Sequence, residues 1–338
     1  MAEETIVRAE ALRRFTAQVF EGLGLPAQDA ELVAEMLVDA DLRGVDTHGV
    51  MRIPAYVRAL KESVYNPRPN IQLVKESAIH ALFDGDAGMG YVVGAAAMRW
   101  CIDHAREQGF AMAGVRNSTH FGAAAHYSMM AARQDLIGFA CTSAPPTIAP
   151  PGSYRSTHGN NPISYAIPAS QEPMLVLDMA TSVRAMGRVA NYRREGWPLP
   201  PGWALDKEGN PTQDADTVAS LVALGEGGYK GYGLTLVMDI LAGVLTGASF
   251  GGRFVAGRPA ADVGHFFMAL DEFKQRVDET LREAKTAPRK PGVQRLYVAG
   301  EPEFENKERR LREGIPLPPV LHRQLEALGQ EMGVSLEV

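Results

Sequence analysis

Two short polar segments, each centred on one histidine, carry the residue types best suited to acid–base chemistry. Residues 44–52 contain His48 and Arg52, and residues 117–122 contain His120. Imidazole exchanges protons near neutral pH, and arginine binds a carboxylate through two parallel hydrogen bonds. The pattern predicts a histidine that protonates a keto oxygen beside an arginine-anchored carboxylate. The hydride for such a reduction must come from a cofactor.

Each of these three side chains also has a purely structural interpretation. Asp and Thr before a helix are ordinary caps, so His48 could simply complete a turn, and His120 is open to the same interpretation. Arg52 could lie on a solvated helix face. The serine, threonine and glycine around His120 suit close approach of the backbone to a ligand.

A glycine-rich segment containing Gly88, Gly90 and Gly94 lies between a predicted strand and a predicted helix, as a dinucleotide fingerprint does. That fingerprint needs its third glycine one residue earlier and an acidic residue about 20 positions further on. Here the next predicted strand, 110–115, is followed by an arginine and an asparagine. We therefore interpret the glycines as a structural turn and predict no classical Rossmann fold.

Asp178 and Lys230 are suited to holding a cofactor. Asp178 follows a predicted strand and could accept hydrogen bonds from a ribose or a nicotinamide amide, or cap the following turn. Lys230 lies among the glycines of 227–233, where helix amides and an ammonium suit a pyrophosphate. The P-loop spacing is incomplete, and a bend before a buried helix is the alternative. The basic run 306–310 could add cationic contacts or form a solvated face.

The elements that must position these residues alternate between helix and strand, which predicts an α/β protein. The predicted helices cover residues 4–21, 26–44, 54–60, 93–108, 123–132, the apolar stretch after 233 through 245, 272–285 and 318–332. The predicted strands cover residues 78–83, 110–115, 137–141, 174–177 and 266–270. The connection 143–162 is longer than an ordinary loop, so it is a candidate for function. Residues 188–214 are predicted to form a loop rich in Arg, Pro and Gly.

Composition sets wider bounds. With 338 residues, 46% hydrophobic and 22% charged, the chain can bury a large core and is expected to form two lobes. A net charge of −6 gives no support for nucleic acid or an acidic membrane as partner. The acidic N-terminus does not resemble a secretory signal. Cys101 and Cys141 lie in apolar surroundings, which favours buried free thiols and a cytoplasmic location.

The motif blocks resemble the type-2 malate/L-lactate dehydrogenase family, which includes ureidoglycolate and sulfolactate dehydrogenases and cyclic-imine reductases. The matching blocks, in family order, are 40–50, 117–122, 160–162, 177–182 and 228–234, with weaker echoes at 299–303 and 314–315. The resemblance implies an α/β, mixed-sheet, non-Rossmann NAD(P)-binding fold with a helical N-terminal lobe. It also implies a homodimer, a substrate and dimerisation lobe (1–117 with 295–338) and an NAD(P)-binding lobe (118–294).

The resemblance further implies an NAD(P)-dependent dehydrogenase of small 2-hydroxy acids, or a reductase of a cyclic imine. His120 then becomes the proton donor or acceptor, Thr47 and His48 belong to the catalytic shell, and Arg52 holds the substrate carboxylate. The positions expected to contact the cofactor are Phe121, Gly122, Ser143, Asp178, Met179, Ala180, Lys230, Asn306 and Arg309. The choice between NAD and NADP stays open, and no metal is expected.

Two departures from the family pattern bear on the substrate. Many members have serine where this chain has Thr47, which keeps the hydroxyl and adds a methyl group. Some imine-reducing members have an aspartate downstream of the Asp178 motif, where this chain is basic. The basic residues are Arg184, Arg188, Arg193 and Arg194. They favour a more anionic substrate, or a cofactor with a 2′-phosphate, over an imine.

Two other classes of protein compete with this interpretation. A metal-dependent hydrolase or lyase would use His48, His120, His126 and His158. No two of them form the i, i+4 helical ligand motif with an intervening glutamate, which argues against it. A non-catalytic paralogue would keep the fold alone, and the presence of both motif histidines with Arg52 argues against that.

Overall fold

The computed structural model describes residues 4–254, 262–271 and 276–337, and a mixed β-sheet forms its centre. The strands are β1 (Thr5–Val7), β2 (Gln72–Glu76), β3 (His80–Asp84), β4 (Phe110–Ser118), β5 (Ile137–Thr142), β6 (Ile163–Ile167), β7 (Leu175–Met179), β8 (Ala204–Leu205), β9 (Pro211–Thr212), β10 (Ser220–Leu221), β11 (Val263–Leu270) and β12 (Ile315–Leu317). Seven of them follow the order β2-β3-β4-β11-β5-β6-β7. Only β3 and β4 pair in parallel, so the sheet is mixed and not of the parallel Rossmann type.

Helices cover both faces of this sheet. They are α1 (Ala9–Gly22), α2 (Ala27–Leu42), α3 (Ile53–Lys61), α4 (Gly90–Gln108), α5 (Ala125–Ala132), α6 (Met186–Glu195), α7 (Tyr229–Asp239), α8 (Val277–Thr286), α9 (Glu301–Glu313) and α10 (Pro319–Met332). Adjacent residues of a strand point to opposite faces. Phe267 of β11 therefore packs in the main core with α4 and the N-terminal helices, and Phe266 packs with α7 on the other face. The α/β prediction is confirmed.

Long-range pairing accounts for several differences from the predicted elements. Residues 4–21 are not one helix, because β1 pairs antiparallel with β12 before α1 begins. The predicted loop 188–214 begins instead within α6. β2, β6 and α9 were not predicted. The predicted helix 272–285 corresponds to α8, and its residues 272–275 lie outside the described part of the chain.

Two smaller shifts move functional candidates. β7 extends to Met179, so Asp178 lies within the strand and not after it. α7 begins at Tyr229, so Lys230 lies in the first turn of a helix and not in a glycine-rich loop. The long connection 143–162 contains no named helix or strand, as predicted.

The N- and C-terminal segments lie together, since Thr5 pairs with Leu317 and Val7 with Ile315. The seven-stranded sheet contains strands from both predicted lobes, and the division into lobes stays a prediction. Within the described ranges, no helix is both long and apolar enough to cross a bilayer. Cys101 and Cys141 are buried and unpaired, as predicted.

Candidate active site

The first histidine segment is held by a buried carboxylate at the end of α2. Residues 46–48 and 50–52 form two short 3-10 turns that lead into α3. Asp41 accepts a hydrogen bond from the backbone N–H of Val50 at 2.8 Å. A side chain at Gly49 would collide with the Asp41 carboxylate, so only glycine fits there. Burial raises the pKa of Asp41 well above its usual range.

The second histidine segment leaves β4 against the first turn of α4. The N–H of Gly90 donates to Thr119 Oγ1 at 3.0 Å, and that hydroxyl donates to the carbonyl of Gly88 at 3.1 Å. A Cβ at Gly90 would overlap the carbonyl of Thr119, and one at Gly94 would lie 2.7 Å from the Tyr127 ring. Gly88 lies in the predicted turn, whereas Gly90 and Gly94 lie within α4, where they allow the helix to pack closely beneath the second histidine segment.

The two segments meet. The rings of His48 and His120 stack with centroids 5.7 Å apart and planes inclined by 17°. Arg52 Nε donates to the carbonyl of Thr47 at 2.7 Å, and Thr47 Oγ1 lies 3.0 Å from His48 Nδ1. Gly187 of α6 packs against this group, because a Cβ there would lie 3.3 Å from Thr47 Cβ and 3.5 Å from an Arg52 terminal nitrogen. One cleft therefore contains both imidazoles and the guanidinium.

Two tyrosines that sequence reasoning missed support His120 from behind. The Tyr56 hydroxyl lies 2.6 Å from His120 Nδ1, and the Tyr91 hydroxyl lies 3.2 Å from that of Tyr56. The N–H of Gly122 also donates to Nδ1 at 3.3 Å. Nε2 of His120 has no hydrogen-bond partner within the described ranges, so this nitrogen is available to a ligand. The sequence held one signal for Tyr56. It lies on the predicted helix 54–60, four residues after Arg52, and residues four apart in a helix are neighbours.

Burial makes both imidazoles neutral in the protein alone. Desolvation, with the nearby positive charges of Arg52 and His126, lowers the pKa of His48 to about 3. Desolvation, with Arg52 and His48, lowers the pKa of His120 well below its usual range. A bound carboxylate at Arg52 would offset one of these causes.

Asp178, near the end of β7, contacts the helix that follows the second histidine segment. Its carboxylate accepts a hydrogen bond at 3.1 Å from the N–H of Ala125, at the start of α5 and five residues beyond His120. It therefore bonds to α5 and not to the turn that follows it. Asp178 is exposed in the single chain, and desolvation by the surrounding protein, with the Glu303 carboxylate nearby, raises its pKa to about 6.

Lys230 lies near the loop that follows Asp178. A Cβ at the neighbouring Gly231 would collide with the backbone of Thr181 and Leu224, so the start of α7 packs directly on that loop. The Lys230 side chain is exposed, and no described carboxylate pairs with it. An exposed carboxylate and an unpaired ammonium on adjoining segments fit a ribose and a phosphate of a nucleotide.

Comparison with known proteins agrees with this geometry. The sequence profile of the malate/L-lactate dehydrogenase family matches residues 7–326. The chain belongs to this family. The malate dehydrogenase of Pyrococcus abyssi is 39% identical over 99% of this chain and 98% of its own length. The L-sulfolactate dehydrogenase of Methanocaldococcus jannaschii is 36% identical, with 98% of each chain covered.

Structural similarity points to the same family. The crystal structure of malate dehydrogenase from Entamoeba histolytica superposes with a TM-score of 0.95 at 31% identity, covering 99% of this chain and 100% of the other. As a malate/L-lactate dehydrogenase family member, the chain is an oxidoreductase of 2-hydroxy acids that uses a nicotinamide cofactor.

At several positions expected to contact the cofactor, the side chain is absent or wholly or partly buried, which leaves mainly the backbone for a ligand. Phe121 is buried, with its ring stacked 4.6 Å from that of His265. Ser143 is also buried, and its hydroxyl accepts the N–H of Gly264 at 3.0 Å. Gly122 has a φ of +76°, which favours glycine, and a Cβ there would lie 2.5 Å from Tyr91. Met179 and Ala180 follow Asp178 and are partly buried.

The C-terminal basic segment of this family member is tied to the histidine turn. Arg309 is exposed and donates to Asn306 at 2.7 Å. Asn306 also packs against Gly44, just before the turn. The next two cations are already paired, Lys307 with Asp39 and Arg310 with Asp46. This segment therefore braces the end of α2, and its free cation is Arg309.

The histidines of the hydrolase alternative do not assemble into a metal site. His126 lies 3.7 Å from Asp39, and His158 lies 3.8 Å from Asp239 and 2.8 Å from the Tyr232 hydroxyl. In the described part of the chain, no three histidine, cysteine, aspartate or glutamate side chains lie close enough to hold a metal ion.

Proposed function

We propose that this protein reversibly transfers a hydride between NAD(P)H and a small 2-keto acid of the malate or lactate type. The observation that carries the proposal is the free Nε2 of His120 in one cleft with the Arg52 guanidinium. A 2-keto acid presents a carboxylate next to its carbonyl, so one arginine and one proton donor match the two groups. When bound, the nicotinamide supplies or accepts the hydride.

The roles of the residues follow from their contacts. Arg52 is fixed by its Nε bond to Thr47, which leaves its terminal nitrogens to hold the substrate carboxylate. His120 gives its Nε2 proton to the carbonyl oxygen in reduction and takes it back in oxidation. Thr47 and His48 form the adjoining wall of the site. Because Arg52 lowers the pKa of His120, binding of the carboxylate raises that pKa and favours the protonated acid.

Asp178, Lys230 and Arg309 are proposed to hold the cofactor, together with backbone at Gly122 and Ser143. In support, Asp178 and Lys230 are accessible on adjoining segments, and Asp178 bonds to the first residue of α5, five residues beyond His120. The remaining expected positions, Phe121, Met179, Ala180 and Asn306, would contribute through their backbone or by supporting these groups.

We further propose a dianionic substrate, as in the malate and sulfolactate dehydrogenases that the chain resembles. Arg188 follows Gly187, which touches Thr47 and Arg52, and it is exposed without a described partner. Arg184 instead lies over the Trp203 ring at 5.2 Å. Arg188 is therefore the better candidate for a second carboxylate, a sulfonate or a cofactor 2′-phosphate. The same basic character argues against a cyclic imine.

The test is oxidation of NADH and of NADPH by the purified protein with oxaloacetate, sulfopyruvate, pyruvate and a cyclic imine carboxylate. We expect turnover with the keto acids, fastest with the two dianions. Arg188→Ala should remove that preference, or weaken NADPH relative to NADH, while Arg184→Ala serves as the comparison variant. Turnover with the imine alone would replace the proposal, and no turnover with any of the four would end it.

We also propose a homodimer, as the resemblance implies. The end of α7 and the turn that follows it expose an apolar stripe, with Val237 49%, Ile240 49% and Leu245 64% exposed. Contiguous apolar surface of this kind marks an interaction site, and a second copy of the chain is its proposed occupant. Light scattering should give twice the chain mass, and Ile240→Asp should give the monomer. A wild-type monomer would refute the proposal.

A further inference from the structure

Three buried tyrosines surround the rear of His120. They come from α3, from the loop after it and from α4: Tyr56, Tyr65 and Tyr91. The Tyr56 ring lies 5.9 Å from that of Tyr91 and 6.0 Å from that of His120. Their burial keeps water away from Nδ1, so the partners of this nitrogen are set by the protein.

The two partners of Nδ1 differ in what they can do. The Gly122 N–H, at 3.3 Å, can only donate, so it favours a lone pair on Nδ1. The Tyr56 hydroxyl, at 2.6 Å, can donate or accept. The Tyr91 hydroxyl, 3.2 Å from Tyr56, can likewise donate to Tyr56 or accept from it. The hydroxyl pair can therefore reverse direction while its atoms stay in place.

We propose that Tyr56 is a positioning residue whose hydroxyl accepts from Nδ1–H while His120 acts as the acid, both in the imidazolium and in the neutral ring left when the Nε2 proton has gone, and donates to Nδ1 only in the Nε2–H tautomer. Tyr91 holds Tyr56 in both states. The inference deepens the proposed function and rests on it for the rate measurements alone. His120 needs such a partner, because a catalytic acid at Nε2 must carry its second proton on Nδ1.

Reduction of the keto acid transfers one proton and one hydride. In reduction, the Nε2 proton of the imidazolium passes to the carbonyl oxygen, and the carbonyl carbon receives the hydride with its two electrons from the reduced nicotinamide. The ring is left neutral with its proton on Nδ1, donated to Tyr56, and Nε2 regains a proton from solvent. Oxidation of the alcohol runs through the same steps in reverse. Tyr56 exchanges no proton with the substrate.

The charged and titratable groups around His120 otherwise oppose the imidazolium. Arg52, His48 and His265 each disfavour a second positive charge, and burial does so most strongly. Hydrogen bonds to charged groups are about twice as strong as neutral ones. Loss of the Tyr56 hydroxyl therefore costs the protonated ring more than the neutral ring.

The test compares Tyr56→Phe with Tyr127→Phe. Tyr127 also buries its hydroxyl, which donates to the carbonyl of Phe121 at 2.6 Å and does not touch the His120 ring. In Tyr56→Phe we expect kcat for keto-acid reduction to fall about 10- to 100-fold, with KM changed less than about threefold. Because reduction needs the protonated ring, its rate falls on the alkaline side of the pH–rate profile, and the midpoint of that fall should move to lower pH. Tyr127→Phe should keep the wild-type profile even if it lowers Tm.

Histidine titration by NMR separates this inference from the proposed function, because it needs no turnover. His120 should titrate at lower pH in Tyr56→Phe than in the wild type, and His120→Gln assigns the signal. If Tyr56→Phe does not fold, Tyr91→Phe keeps the bond to His120 and should give a smaller shift in the same direction. An unchanged His120 titration with kcat within about twofold of wild type would overturn the inference.

Discussion

Two regions of the site are held in place differently. The histidine wall consists of residues 44–52 and 117–122, and the proposed cofactor wall consists of residues 178–182 and 227–233. On the histidine wall, Asp41 holds the turn, Thr47 holds Arg52, and Tyr56 holds His120, all before any ligand binds. On the proposed cofactor wall, the exposed Lys230 side chain has no described carboxylate partner, and its ammonium lies 5.9 Å from the centre of the neighbouring Tyr229 ring. Acid–base transfer needs atoms fixed within a few tenths of an ångström, whereas charge attraction to a phosphate tolerates motion. We therefore expect the protein core to fix the acid–base groups and cofactor binding to order the Lys230 side chain.

Removal of the proposed acid, His120, from the histidine wall should cost the most activity. His120→Ala should lower turnover about 10²–10⁴-fold, because no other described group takes the place of its Nε2. His104→Ala is the matched control, since that imidazole stacks on Trp100 at 3.8 Å on the outer side of α4. Steady-state kinetics of both variants decide it. Equal turnover in the two variants would remove His120 from the mechanism.

Substitutions in the proposed cofactor wall should weaken cofactor binding and leave the rate of the chemical step nearly unchanged. Lys230→Ala is expected to raise the KM for the reduced cofactor about 10-fold and to change kcat less than about threefold, because one exposed ammonium is lost. Lys230→Arg keeps the charge and should recover most of the affinity. Lys207→Ala, an exposed lysine elsewhere, is the control. A fall in kcat with unchanged KM would contradict a role of Lys230 in binding the cofactor.

The sequence predicts some parts of this molecule better than others, according to whether they are encoded locally or formed by long-range packing. The histidine segments could be located because their turns are encoded locally, by glycines and short polar residues. α6 was read as a loop because Val189 is its one buried residue, which leaves no apolar stripe. β1 exists only through its pairing with β12, and no local pattern encodes such a partner. Tyr91 reaches Tyr56 by tertiary packing alone, so its role could not be predicted.

Acid should weaken the histidine wall. Burial lowers the pKa of His265 to about 3, while an unfolded histidine titrates near 6.5. The unfolded chain therefore binds the proton first, and the stability that the neutral ring contributes above pH 6.5 is lost as pH falls toward 3. Each such histidine adds up to about 1.4 kcal/mol per pH unit.

Urea unfolding between pH 7.5 and 4.5 measures this loss. His265 bonds to Thr142 at 2.8 Å and to Ser118 at 2.9 Å, so His265→Gln should be less stable at pH 7.5. Its free energy of unfolding should nevertheless fall less steeply with pH than that of the wild type. Parallel curves would show that His265 titrates alike in both states.

Substitutions of Thr47 test whether its hydroxyl group or its methyl group fixes His48. Thr47 Oγ1 lies 3.0 Å from His48 Nδ1, and Thr47 Cγ2 faces Gly187 of α6. Thr47→Ser keeps the hydroxyl and should change kcat/KM less than about threefold, whereas Thr47→Val keeps the shape and should lower it about 10-fold. If the hydroxyl fixes His48, serine must resemble the wild type and valine must not. The opposite order would mean that packing against α6, and not the hydrogen bond, sets the histidine wall.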